Sequence, residues 1–238
     1  MKRLILLALL AAVAFAAYPN LQFAYRFQNS ALDWSGNGRN GTVNGSGVYT
    51  TARGQQALYF DGTGDYVATP SFGLSGTVVV FATWVRCKFS ATLRQSFLGD
   101  DASSVTVGHL WCRRNANSDG LRWQYAEGTV ATGAEYVTFF SAPYDNVWVH
   151  AVVACDYPAK STTIHRNGTL VATVAMSGTP VFPSTDRVKY IGSYSTGQYM
   201  LTDGYMANVQ LWTLATMPPL AVMDASVKRI AAGLMPVW

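Results

Sequence analysis

Apolar residues recur at every second position through much of the chain, in short stretches closed by clusters of Gly, Asn, Asp and Ser. Successive side chains of an extended strand point to opposite faces, so this period marks half-buried strands rather than helices. Residues 77–89 form a β-branched and aromatic run. Residues 147–155 place Val147, Val149, Ala151, Val153 and Cys155 on one face, and residues 205–212 set Tyr205, Ala207, Val209 and Leu211 against Asn208 and Gln210. The sharpest local signal is Asn167-Gly168 between Thr163-Ile164-His165-Arg166 and Thr169-Leu170-Val171-Ala172. Asn-Gly tolerates the two positive φ angles of a type I′ turn, so a two-residue β-hairpin is expected there. A helical period comes only at the end, where Val227, Ile230, Ala231 and Leu234 predict one short helix over residues 225–234, before Pro236. The pattern is that of an all-β sandwich of antiparallel sheets with a short C-terminal helix. No repeat or linker divides it.

The N-terminus reads differently. Lys2 and Arg3 precede an uninterrupted apolar stretch over residues 4–17, with Ala14-Phe15-Ala16 as a small-x-small cleavage site. This is the layout of a secretory leader, and the stretch falls short of the roughly 20 residues a membrane-spanning helix needs. The expected organisation is residues 1–17 as signal peptide or apolar segment and residues 18–238 as one sandwich domain. Such a chain would be secreted, periplasmic or at the cell surface. Export implies an oxidising compartment. Cys87, Cys112 and Cys155 show no metal-binding spacing, and two readings stay open: buried free thiols, or one disulfide with a spare.

Composition narrows the partners. With Lys2 and Arg3 set aside in the leader, 15 basic residues face 13 acidic ones, and Arg113-Arg114 and Lys228-Arg229 are the two adjacent basic pairs. No basic stripe of the kind phosphate recognition requires is present, so nucleic acid is not an expected partner.

The order of the turns resembles a known family. Tyr25-Arg26-Phe27, Asp33-Trp34-Ser35-Gly36-Asn37-Gly38 and Gly41-Thr42-Val43 resemble the opening strand and loop of laminin-G-like, concanavalin A-like domains. Ala57-Leu58-Tyr59-Phe60-Asp61-Gly62 with Asp65-Tyr66-Val67, then Trp84-Val85, then Trp148-Val149-His150-Ala151-Val152, are similar to its successive strands. Arg166-Asn167-Gly168, Ile191-Gly192 and Gly204-Tyr205-Met206-Ala207-Asn208-Val209-Gln210-Leu211-Trp212 complete the series, over residues 20–215. The resemblance implies a jelly roll of two antiparallel sheets, with ligands on one sheet face or on the loops along a rim. It does not imply one function, because the architecture serves lectins, adhesion modules, glycosidases and structural parts.

The residues themselves weigh against catalysis. Glycoside hydrolysis needs two carboxylates about 5–10 Å apart. The chain has two glutamates, Glu127 and Glu135, and the E-x-D-x-x-E strand of the family's glucanases cannot be written from them. Asp100-Asp101 would point to opposite sides of a strand. His109, His150 and His165 share no zinc spacing and read as satisfied or surface histidines. No catalytic residue is assigned.

Binding chemistry is better supplied. Asp61 and Asp65 in a Gly-rich turn, with Asp203 before Gly204, could offer oxygens to calcium, although Asp in such turns more commonly bonds its own backbone. Calcium is the one candidate cofactor. Stacking on sugar rings needs aromatic faces beside planar polar groups, and Trp111 with Arg113, Trp123 with Tyr125, and Tyr194 with Tyr199 are the candidates. The leading expectation is an exported, lectin-like or adhesion module for a glycan or surface polysaccharide. The alternative is a virion or surface-assembly component, such as a phage decoration or tail-adhesion protein, because the chain's end resembles the closing helix of laminin-G-like domains in phage particles. A hydrolase is the third.

Overall fold

The computed structural model describes residues 20–52, 55–88, 93–100, 110–114, 119–127 and 130–232. The leader, Asp101, His109 and residues 233–238 lie outside the described residues. In chain order the strands are β1 (Leu21–Tyr25), β2 (Thr42–Asn44), β3 (Val48–Ala52), β4 (Gln55–Phe60), β5 (Tyr66–Ala68), β6 (Val78–Arg86), β7 (Gln95–Asp100) and β8 (Leu110–Arg114). They continue as β9 (Leu121–Glu127), β10 (Val130–Tyr136), β11 (Val149–Asp156), β12 (Ser161–Arg166), β13 (Thr169–Ala175), β14 (Pro180–Val181), β15 (Lys189–Ile191) and β16 (Gly204–Leu214), followed by helix α1 (Leu220–Ala231).

These strands make two eight-stranded antiparallel sheets. The first runs β13-β12-β11-β6-β16-β4-β3, and β1 pairs with the second half of β16 beyond the reach of β4. The second runs β10-β9-β8-β7-β15-β5-β2, with β14 on β9. The chain crosses between sheets after β1, β2, β4, β5, β6, β10, β13 and β15, which is the jelly-roll winding. Alternate residues of the inner faces fill the space between the sheets: Phe81, Val153 and Leu211 from the first belong to one buried cluster with Leu98, Leu110 and Trp123 from the second.

Turn chemistry holds the strand ends. Asn167 (φ 52°) and Gly168 (φ 83°) form the two-residue hairpin between β12 and β13, and the Asn167 side chain accepts the His150 amide at 2.9 Å. Asp33 organises the loop after β1. Its carboxylate accepts the amides of Ala24, Ser35 and Arg39 at 2.9–3.0 Å and the Ser35 hydroxyl at 2.7 Å.

Three sequence expectations change. Val147 is exposed, because β11 begins only at Val149. The alternation across residues 205–212 breaks at a bulge between Ala207 and Gln210, where Asn208 takes a positive φ of 47°. Met206, Val209 and Leu211 face the core instead of Tyr205 and Ala207. The helix starts at Leu220, directly after Pro218-Pro219, five residues before the periodic signal at Ala225.

That helix has a specific place. Met223, Val227 and Ile230 cover Val78, Val80, Val152, Ala154 and Trp212 on the outer face of the first sheet. Trp84 donates its indole N–H to the Ala231 carbonyl at 3.3 Å, tying down the helix C-terminus. The three cysteines are buried free thiols. Burial pushes each thiol upward, Cys87 to about 11, which suppresses the reactive thiolate.

The histidines beneath the helix are a correction. His165 is half satisfied, its Nε2 lying 2.9 Å from Asp224 of α1 while its buried Nδ1 has no hydrogen-bond partner among the described residues. His150 is neither satisfied nor at the surface: it is fully buried, 5.1 Å from the Trp84 ring, and neither ring nitrogen has a hydrogen-bond partner among the described residues. Burial pushes its pKa down to about 3, with His165 adding to the effect, and burial also lowers His165 against the opposing pull of Asp224. Because the folded imidazole resists a proton that the unfolded one accepts near 6.5, stability is held at neutral pH and lost as pH falls from about 6.5 toward 3. A tenfold difference in proton affinity between the folded and unfolded chain corresponds to about 1.4 kcal/mol. The urea midpoint is therefore expected to drop through this window, and His150→Phe should flatten the drop. A profile unchanged by His150→Phe would contradict the assignment.

Candidate ligand-binding face

The outer face of the second sheet is built by strand parity. On β8, Leu110 and Cys112 enter the core, so Trp111 and Arg113 stand on the other side; on β9, Leu121, Trp123 and Tyr125 enter the core, leaving Arg122 and Gln124 outside. The β8–β9 register sets Trp111 opposite Gln124 and Arg113 opposite Arg122. Trp123 and Tyr125, expected as sugar contacts, are fully buried between the sheets and cannot reach a ligand. They sit one residue out of phase with the face that matters.

A loop brings the remaining aromatics together. After β15 the chain turns back over residues 193–199, with the Tyr194 amide bonded to the Gln198 carbonyl at 2.9 Å. The Ser193 hydroxyl lies 2.6 and 2.9 Å from the carbonyl oxygens of Ser195 and Gln198. Ser96 of β7 donates its amide to the Tyr199 carbonyl at 3.0 Å, laying the loop across the sheet. Gly99 makes this approach possible. A Cβ there would collide with the Tyr194 backbone.

The result is a compact aromatic cluster. Trp111 lies 4.4 Å from Tyr194 and 5.2 Å from Tyr199, which are 5.9 Å from each other. The Trp111 indole donates to the Ser96 hydroxyl at 2.7 Å, and the Arg113 guanidinium covers the indole at 4.0 Å. Arg113 in turn donates to the Gln124 side-chain oxygen at 3.2 Å. Trp111 and Arg113 are each only 3% exposed, so they form the floor rather than the contact surface. Tyr199 is 45% exposed, Tyr194 is half-buried, and exposed Arg94 stands over the Tyr199 ring at 5.5 Å. Four of the six aromatic and arginine candidates thus share one site. Arg94, Arg122, Gln124 and Gly99 belong to it without having stood out in the sequence; the alternation of Trp111 with Arg113 was the available signal for the face.

Electrostatics follow from the crowding of arginines. Burial pushes Arg113 down to about 9, and Arg94 and Arg122 reinforce the shift while Glu135 opposes it. Arg122 lies 3.6 Å from Glu135 on β10.

The expected calcium ligands do not form a centre. Asp65 is buried, and its carboxylate accepts the Ser46 amide and hydroxyl and the Asp61 amide at 2.6–3.0 Å. These bonds hold Asp65 below its ordinary pKa against the desolvation that raises it. Asp61 accepts the Thr63 amide, and Asp203 accepts the Tyr59 hydroxyl at 3.3 Å. Asp65 thus acts as a turn clasp. Among the described residues no group of three His, Cys, Asp or Glu is arranged to hold a metal ion. A hollow of about 220 Å³ beside α1, lined by Thr163, Thr173, Met217, Pro218, Leu220 and Met223, offers no aromatic ring and no charge.

Comparisons agree with the architecture. A laminin-G family model, described as the concanavalin A-like lectin/glucanases superfamily, matches residues 61–219. No curated protein matches the chain. Among solved structures, the ligand-binding domain of botulinum neurotoxin serotype D in complex with N-acetylneuraminic acid superposes with TM-score 0.69 at 9% identity, over 90% of this chain and 51% of that one. The binding domain of botulinum neurotoxin DC in complex with rat synaptotagmin II gives 0.63 at 13%, over 91% and 52%. The receptor-binding domain of botulinum neurotoxin type G gives 0.66 at 10%, over 90% and 51%. The chain spans about half the length of these domains, and at such identities the likeness carries the fold.

Gly99→Val is expected to lift the 193–199 loop and uncover Trp111, at a cost of about 1–3 kcal/mol. Increased acrylamide quenching of tryptophan emission would register the change; unchanged quenching would contradict the close packing of loop on sheet.

Proposed function

Because the chain belongs to the concanavalin A-like lectin/glucanases superfamily, we propose that it is an exported, non-catalytic carbohydrate-binding module whose ligand lies on the 193–199 loop and the outer face of the second sheet. The observation that carries this reading is the exposed Tyr199 ring beside half-buried Tyr194, backed by Trp111 and flanked by Arg94, Arg122 and Gln124. The C–H faces of a sugar ring pack on aromatic surface while its hydroxyls bond to planar polar side chains. Helix α1 covers the apolar part of the first sheet's outer face, and the other end of that face holds a separate group, Tyr59 and Tyr205 with Arg86 over the Tyr205 ring.

The wide separation of the two glutamates supports binding without turnover. Glu135 stands opposite Arg122 in the β9–β10 register, five positions along β9 from Glu127. At about 3.3 Å per residue their backbones are roughly 17 Å apart, beyond the separation a carboxylate pair requires. Asp100 is buried and accepts the Leu110 amide at 3.1 Å. The structural neighbours are binding domains, one solved with a sialic acid and one with a protein receptor. The latter favours a second reading, in which the same face docks a protein at a cell or particle surface. Export is inferred from the N-terminal residues, whose basic start and apolar stretch have the layout of a leader.

A glycan-array screen with the purified protein tests the proposal. Binding is expected, and Tyr199→Ala should weaken it about tenfold, or ~1.4 kcal/mol, the scale of one lost aromatic contact. Because Tyr199 is exposed, the variant should keep its circular dichroism and melting temperature. Release of reducing sugar from any bound glycan would contradict the non-catalytic reading, and array-wide silence would favour the protein-docking one.

A further inference from the structure

Charge around the aromatic cluster is one-sided. Arg94 stands over Tyr199, Arg113 over Trp111, and Arg122 faces Arg113 across the β8–β9 pair. Among the described residues the carboxylate set against them on this face is Glu135, 3.6 Å from Arg122. Asp100 is turned to the Leu110 amide and lies 4.0 Å from Arg187. Three guanidinium groups thus gather on this face, and the glutamate is paired with one of them, Arg122. One of the three is buried and donates to a neutral amide, that of Gln124. Holding like charges together in a partly desolvated patch is unfavourable, and an arriving anion would relieve it.

From this we infer that the ligand of the face is an acidic saccharide, whose carboxylate or sulfate group lodges beside Arg94 while its sugar ring lies on Tyr199. The inference rests on the carbohydrate reading of the same face and adds the charge of the ligand. A neutral sugar would bring these guanidinium groups no counter-charge. A nucleic acid fits less well, because its phosphates call for a basic track, whereas these arginines are gathered around one loop and two strands and the charge beyond the leader is 15 basic against 13 acidic residues. Arginine is well matched to such a ligand, since its planar fork bonds both oxygens of a carboxylate or sulfate and its flat face rests on aromatic rings.

Calorimetric titration of the full chain with four probes tests this: an oligogalacturonate, the same oligomer fully methyl-esterified, a heparin-derived sulfated oligosaccharide, and a single-stranded oligonucleotide. At least one of the two acidic saccharides is expected to bind at least tenfold more tightly than the ester, with an affinity that falls as salt rises; which one binds identifies carboxylate or sulfate as the recognised group. Arg94→Gln should narrow the gap between acid and ester. Equal or tighter binding of the ester would overturn the acidic ligand and leave the carbohydrate reading standing. Silence toward all three saccharides would overturn both, and preferential binding of the oligonucleotide would replace the saccharide with nucleic acid.

Discussion

Every strand in a two-layer sandwich has two faces, and only one can enter the space between the layers. The inner faces here close on each other through residues such as Phe81, Val153, Leu98 and Trp123, and that packing fixes the phase of every strand. What remains are two outer faces with opposite fates. The first sheet's has an apolar part, with Val78, Val80, Val152 and Ala154, that would be costly to leave in water, and helix α1 covers it, leaving Tyr59, Arg86 and Tyr205 at the other end. The second sheet's carries Trp111, Arg113, Arg122 and Gln124, groups that can remain near solvent, and no helix covers it among the described residues. There the chain's own cover is the 193–199 loop, which leaves Tyr199 exposed above Trp111.

Much of this organisation is legible in the residues, though unevenly. The Asn167-Gly168 hairpin is local chemistry, two positive φ angles that few residue pairs tolerate, and it stands where expected. The winding of the strands was carried by the order of short motifs, and the family match over residues 61–219 covers most of them, leaving out the opening strand and loop. Phase is harder. Strands β8 and β9 have large side chains at both parities, so alternation alone does not say whether Trp111 or Trp123 faces the ligand. The answer lies in the cross-strand register, which sets Trp123 opposite buried Cys112 and Trp111 opposite Gln124. In β16 a single bulge at Asn208 reverses phase midway, and nothing in a period-two pattern announces it.

Composition of the site was hidden for a different reason. Tyr194 and Tyr199 lie far along the chain from Trp111, and what unites them is the loop crossing β7 at Gly99, a contact between segments nearly a hundred residues apart. The aspartates illustrate the reverse case. Asp61 and Asp65 share one turn, yet backbone amides occupy the Asp65 carboxylate, and Asp203 accepts from Tyr59 instead. A carboxylate already surrounded by N–H donors has little to gain from a cation.

The 193–199 hairpin rests on a floor it does not help to build. Trp111, Arg113 and Ser96 are held by strands, whereas Thr196 and Gln198 at the tip are exposed. The tip can therefore change its lettering at little cost to the scaffold. A lineage carrying this fold could move from one surface to another by rewriting three or four residues, with the sandwich beneath inherited intact.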